Sequence, residues 1–337
     1  MGIEISDFLK KEQEGKIRLD FLGQVPCPIK PKFKEAFDNM AKEHYKKTKK
    51  EFFTYIPISC PHDMEREKSL SNILSAESID EIPDIAVTFG IGDYCYPKII
   101  KNYISKGYFK KVIDLDKCEM LKGIDFSDPY NGYNVLCTFP TVIMIDKKKI
   151  GDLPIPKKIM DLLDPIYKDS IAISGGHGRV SLLFPMHVYK EYGEEGLKKL
   201  DNNICNILHG SKMAKIAGTN NSEGAPIYVM SWFFAKACTN YDNTEIIWPE
   251  DGALIDPLIL MVKKDISEEL NPILDFITSE KVSEIFADNY FPSTYPNIDN
   301  KLPENAKFQW IGWDYIVNNS LEEFDKMIQN KFSKYIK

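Results

Sequence analysis

The feature that most constrains this chain is a series of short apolar runs, each stopped by a glycine- or proline-bearing turn. Leu19 to Gln24 reads as a strand ending in Gly23-Gln24-Val25-Pro26. A helix follows, with Phe33, Phe37, Met40 and His44 on one face at helical spacing. Phe52 to Ile58 reads as a second strand, closed by Ser59-Cys60-Pro61. After a polar helix, a third strand, Ile85 to Phe89, runs into Gly90-Ile91-Gly92-Asp93. Strands and helices in strict alternation specify a parallel, doubly wound α/β lobe.

A chain of 337 residues exceeds the usual size of one hydrophobic core, so a second lobe is expected. It is signalled by the β-rich stretch Tyr133 to Ile145, broken only by Thr138-Phe139-Pro140-Thr141, then Leu153-Pro154-Ile155-Pro156 and a helix running through Asp161-Leu162-Leu163 to Asp164-Pro165. A strand from Ser170 to Ser174 opens onto Gly175-Gly176-His177-Gly178-Arg179. A polar turn from Gly218 to Gly224 precedes an apolar segment, Ala225 to Ala237, read as a helix. Ile246-Ile247-Trp248 then leads through Pro249-Glu250-Asp251-Gly252 to a strand at Leu258 to Val262. The expected division is lobe 1 from residues 1–138 plus 253–337, and lobe 2 from 139–252.

Composition removes several function classes. The net charge is −7 and the basic residues are almost all scattered lysines, so nucleic-acid binding has no support. No apolar run is long enough to span a bilayer, and Met1 to Phe21 lacks the apolar core of a secretory signal. Seven cysteines, an odd number without framework spacing, suit a reducing compartment. The expectation is a cytoplasmic protein; the alternative is an exported or membrane-tethered one whose leader was removed.

Two blocks resemble a known family. The stretch Asn134 to Ile173, with Pro140-Thr141-Val142-Ile143-Met144-Ile145-Asp146 and Asp161-Leu162-Leu163-Asp164-Pro165, is similar to type II periplasmic solute-binding proteins of ABC transporters. So is Trp248 to Ala253 followed by Leu274 to Glu280, which looks closest to the ferric-iron-binding branch. The resemblance spans roughly residues 18 to 300. It implies two doubly wound α/β lobes joined by two crossing strands, near Phe139 and Ala253, with a ligand cleft between them and hinge closure on the ligand. The adjacent tyrosines with which members of that branch commonly hold metal have no counterpart here.

Ligands of open α/β sheets sit beyond the carboxyl ends of the strands. Cys27, Cys60 and Cys95 follow the first three strands, and the 2-1-3 strand order implied by the resemblance would make their loops neighbours. Thiolates are soft ligands, so one reading is a transition-metal or iron-containing site; the other is inert packing. Cys118, Cys137, Cys205 and Cys238 read as structural. Gly175, Gly176, His177 and Arg179 form a glycine-rich turn suited to an anion, or simply a tight turn with Arg179 paired to a surface carboxylate. Asn220, Asn221, Ser222 and Glu223 are a second ligand loop or a capping turn. Asp93 is a further ligand candidate, and Glu250-Asp251 weaker ones. His62 and Asp63 beside Cys60 lack an orienting third group, which argues against a nucleophilic enzyme.

The sequence-based expectation is therefore a solute-binding protein, not an enzyme, that closes on a metal ion, metal complex or small anion and works with an ABC permease. The alternatives are a cytoplasmic metal or metallocofactor carrier or sensor using Cys27, Cys60 and Cys95, and an enzyme on the same fold.

Overall fold

The computed structural model describes residues 19–57, 73–176 and 178–335. In chain order its elements are β1 (Phe21–Gly23), α1 (Lys30–Thr48), β2 (Thr54–Tyr55), β3 (Ile85–Phe89) and β4 (Tyr133–Asp146). There follow β5 (Ile171–Gly176), β6 (Arg179–Val180), α2 (Leu183–Asn203), β7 (Ile204–Leu208), α3 (Gly210–Ile216) and β8 (Ile227–Ser231). The remainder is α4 (Trp232–Lys236), β9 (Thr244–Ile247), β10 (Ala253–Val262), α5 (Asn271–Ile277), α6 (Glu280–Asp288), β11 (Phe308–Gln309), α7 (Trp313–Asn318) and α8 (Leu321–Lys331).

The chain divides into two compact units. Unit 1 runs through Thr138 and adds Pro257–Asn300 and Trp313–Asn319; unit 2 is Phe139–Asp256, Lys301–Gly312 and the stretch from Ser320 onward. Two long strands carry the chain from one unit to the other, β4 at Thr138–Phe139 and β10 at Asp256–Pro257. Residues 301–312 and 320–335, placed in lobe 1 from sequence, have their contacts in unit 2.

In unit 1 the strand order is β2-β1-β3-β10-β4. β1 is parallel to both β2 and β3, the 2-1-3 arrangement expected of the resemblance, and β10 runs antiparallel to β3. β3 is buried along four of its five residues, which is why it reads as a continuous apolar run. The apolar face of α1 is set by Phe33 and Phe37. Phe37 stacks on Phe21 at 5.3 Å, and both helix rings meet Phe276 of α5 at 5.5 and 5.6 Å. Pro31 occupies the first turn of α1, where a missing N–H costs nothing.

In unit 2, β9 and β8 flank β4 antiparallel to it, and β8-β5-β7 continue as a parallel set. β5, β7, β8 and β9 therefore all point the same way. β6 turns back antiparallel on β5, and its Val180 backbone is held on both its N–H and C=O by the Gln329 side chain of α8, at 2.8 and 3.1 Å. α2 is broken at Gly193, whose φ of 58° is a left-handed value open to glycine at little cost.

The largest correction falls on Ala225 to Ala237, expected to be one helix. Ile227–Ser231 is instead a central strand, and the helix begins only at Trp232. A buried strand and a buried helix are both apolar throughout, so periodicity cannot separate them. Here the β-branched Ile227 and Val229 and the open place between β4 and β5 decide for the strand. Among the described residues no helix is long and apolar enough to cross a membrane.

Candidate functional site

Register places four strand ends of unit 2 at one edge. Ser174 of β5 lies opposite Leu208 of β7, Ile173 opposite Val229 of β8, and β9 reaches the same level through β4 at Ile247. The residues that leave the sheet there are Gly175-Gly176, His209-Gly210, Ser231-Trp232 and Trp248. This is the carboxyl edge, where ligands of open α/β sheets are expected.

Close packing at this edge depends on glycine. A Cβ on Gly175 would stand 2.3 Å from Ile207 Cγ2 and 2.6 Å from the Arg179 carbonyl oxygen. One on Gly176 would stand 2.9 Å from the His209 ring, and one on Gly210 would stand 2.1 Å from the Phe234 ring. Gly210→Ala is accordingly expected to lower stability by about 1–3 kcal/mol, the usual effect of overpacking, read as a fall in the urea midpoint at constant m. An unchanged midpoint would show that the Phe234 ring moves aside freely.

His209 is held by its own loop. Its Nδ1 accepts from the Ser211 N–H at 3.2 Å and lies 2.7 Å from Ser211 Oγ. A backbone N–H can only donate, so Nδ1 is the acceptor and the ring proton sits on Nε2. The imidazole is exposed. Sequence reasoning missed His209 because β7 was not recognised; the signal was a strand-like Ile204-Cys205-Asn206-Ile207-Leu208 running into His209-Gly210.

The sequence-derived candidates fall in several places. Gly175 and Gly176 lie at the carboxyl edge. His177 lies outside the described residues. Arg179 pairs across from Gly176, but its guanidinium is bound to Asp325 of α8, which also accepts from Gln329 at 2.8 Å. Asn220, Asn221, Ser222 and Glu223 precede β8 and so lie at the opposite, amino edge, about 13 Å away along a five-residue strand. There Asn221 Oδ1 accepts the Glu223 N–H at 2.9 Å, Lys149 donates to the Asn221 carbonyl at 2.7 Å, and Glu223 pairs with Lys212 at 2.7 Å. The structure does not bring this loop together with Gly175 and Gly176. Glu250 and Asp251 hold the 157–159 stretch: the Glu250 N–H donates to the Lys157 carbonyl at 2.9 Å, and Asp251 accepts the Ile159 N–H at 3.3 Å.

In unit 1, Cys27 is exposed four residues past β1, whereas Cys95 is fully buried with its thiol against the Tyr133 hydroxyl. Cys60, His62 and Asp63 lie outside the described residues, as does the side chain of Asp93. Among the described residues no three His, Cys, Asp or Glu side chains are grouped as a metal ion would need. Cys118, Cys137 and Cys238 are buried. Burial pushes the thiols of Cys118 and Cys137 up, and that of half-buried Cys205 to about 11, so all three stay protonated.

Residues 80–319 match the model of a family described as bacterial extracellular solute-binding proteins. Solved structures with the same fold include an ABC transporter protein from Clostridium perfringens, 15% identical with a TM-score of 0.62 over 95% of this chain and 100% of that one. A ferric-binding protein from Campylobacter jejuni is 15% identical with a TM-score of 0.60, over 93% of this chain and 99% of that one. A Trichodesmium protein in complex with iron and citrate is 13% identical with a TM-score of 0.58, over 95% and 99%. At such identities the likeness speaks for the fold. Comparison with curated protein sequences gave no match.

Proposed function

The chain belongs to the bacterial extracellular solute-binding proteins, and from that membership we propose that it serves an ABC importer as the receptor for a small oxyanion, bare or coating a metal ion. The family is one of binding proteins, not enzymes. What supports the ligand class is the carboxyl edge of unit 2. There the exposed His209, whose Nδ1 accepts from the Ser211 N–H, carries its ring proton on Nε2. A donor recognises oxygen; a bare cation would need the lone pair that this tautomer lacks.

A receptor of this kind is stabilised by its ligand through mass action. At a free concentration one hundred times Kd the gain is about 2.7 kcal/mol. Native mass spectrometry of the full chain should reveal a bound small molecule. Phosphate, sulfate, citrate or ferric citrate should raise the melting temperature, whereas ferric ion alone should not. The proposal fails if ferric ion alone stabilises the protein and the oxyanions do not.

The alternative, a metal held by strand-end thiols, meets an exposed Cys27 and a fully buried Cys95. Two thiols in such different surroundings lend it no support.

A further inference from the structure

α2 is two helical segments joined at Gly193, whose φ of 58° and ψ of −149° separate residues 183–192 from 194–203. A Cβ at Gly193 would meet nothing within 4 Å, so the joint is not wedged by its surroundings. The two segments are held differently. In the second, Asn203 Nδ2 donates to the Leu162 and Asp164 carbonyls at 2.9 and 2.7 Å. Asp201 accepts Lys334 Nζ at 2.9 Å on its carboxylate and the Tyr335 hydroxyl at 2.6 Å on its carbonyl. The first segment is held by Lys190, which donates to the Ile311 carbonyl at 2.8 Å, and by Tyr189 against Phe324 at 5.5 Å. Burial of Leu183, Phe184, Met186 and Val188 completes its docking.

His187 lies within that buried set, and its Nε2 has no hydrogen-bond partner among the described residues. Burial, then the charge of Lys190 on the same segment, holds its pKa down at about 4. α8 packs here through Phe324, and its charges are committed elsewhere or exposed: Asp325 is bound to Arg179, Glu322 to Lys326, and Glu323 is exposed. The 301–312 stretch packs here through Ile311, with Glu304 and Lys307 exposed. Among the described residues no carboxylate acts on the ring, so nothing steadies a proton on it while the segment is docked.

We propose that residues 183–192 form an acid-released flap, which lifts on Gly193 when His187 takes up a proton while residues 194–203 stay docked. Linkage favours every state that exposes the ring, and lifting one segment at a joint already broken costs less than unfolding the unit. The flap lies next to the carboxyl edge in the chain. Two residues before α2, the Ser181 N–H donates to the Ser174 carbonyl at 3.0 Å, so acid would loosen unit 2 beside Gly175 and Gly176.

Native-state hydrogen exchange of the full chain, read by mass spectrometry at pH 7 and pH 5 and corrected for the intrinsic rates, tests it. Amides of residues 183–192 should lose about thirtyfold in protection between the two, the factor set by a proton bound at 6.5 when exposed and at about 4 when docked. Their exchange at pH 5 should be nearly insensitive to dilute urea, the mark of a small opening, and should outpace that of residues 194–203. His187→Leu should abolish the loss, and so should His187→Gln, which keeps a polar side chain but cannot titrate. Equal protection and equal urea dependence of the two segments at pH 5 would overturn the proposal, because the ring would then be exposed only by unfolding of the whole unit. A thirtyfold loss that persists in both variants would overturn it as well, by placing the titrating group elsewhere.

Discussion

Asp84→Leu alone is expected to cost about 3–5 kcal/mol of stability, whereas Asp84→Leu combined with Lys263→Met should cost far less. Asp84 precedes β3 and Lys263 follows β10, so the pair closes the antiparallel ladder between those strands, where the Lys263 N–H also donates to the Asp84 carbonyl at 2.9 Å. Their charged ends are 3.1 Å apart, with side chains only 3% and 10% exposed. At that burial the Coulomb attraction mainly offsets the loss of hydration. Removing one partner leaves the other charge desolvated and without the counter-charge 3.1 Å away; removing both takes that ion pair out of the strand end altogether. Chemical denaturation of the two single variants and the double variant measures the coupling. Single variants within about 1 kcal/mol of the parent would mean that water reaches the pair.

How much of this was legible in the sequence depended on whether an element carried its own local signal. β3 is bounded as read, Ile85–Phe89, because Pro83 and Gly90 punctuate a run that is too short for a helix. β4 was read as β-rich from Tyr133 to Ile145, from its β-branched and aromatic residues, but as broken at Thr138–Thr141 around Pro140, whereas the strand runs unbroken to Asp146. The 2-1-3 order came with the resemblance, not from any local pattern. What failed was the core of unit 2. β7 follows directly on the tail of α2, with no turn between Asn203 and Ile204 to mark it. β8 was absorbed into a helix that begins five residues later.

The site inherited both failures. Which edge of a sheet a loop occupies follows from the direction of the strand beside it. With β8 unread, the Asn220–Glu223 turn appeared to lie beside Gly175, and with β7 unread, His209 had no edge to belong to. Glycine spacing revealed half of the carboxyl edge, at Gly175 and Gly176. Arg179 looked like an anion grip because arginine is rare in this chain, but rarity carries no information about Asp325, 146 positions away.

A second large effect is expected in acid, and it centres on His187. The ring lies in α2 among the buried Phe184, Met186 and Val188, is itself 4% exposed, and its Nε2 has no hydrogen-bond partner among the described residues. Burial, reinforced by the charge of Lys190, holds its pKa down at about 4, against 6.5 for an unperturbed histidine. Between those values the unfolded chain binds a proton that the folded chain refuses. At pH 7 the ring is neutral in both states and its titration contributes nothing to stability; stability falls as the pH drops below 6.5, and the loss is nearly complete near pH 4. Over that window the loss amounts to about 3 kcal/mol. His187→Leu removes the titration while filling nearly the same volume. The stability of this variant relative to the parent should rise by about 3 kcal/mol between pH 7 and pH 4, whatever the exposed carboxylates contribute to both. Denaturation midpoints at half-unit pH steps read the difference directly. Parallel curves for the two proteins would mean that the imidazole takes up its proton inside the fold, with water or a rearranged backbone carbonyl as its partner.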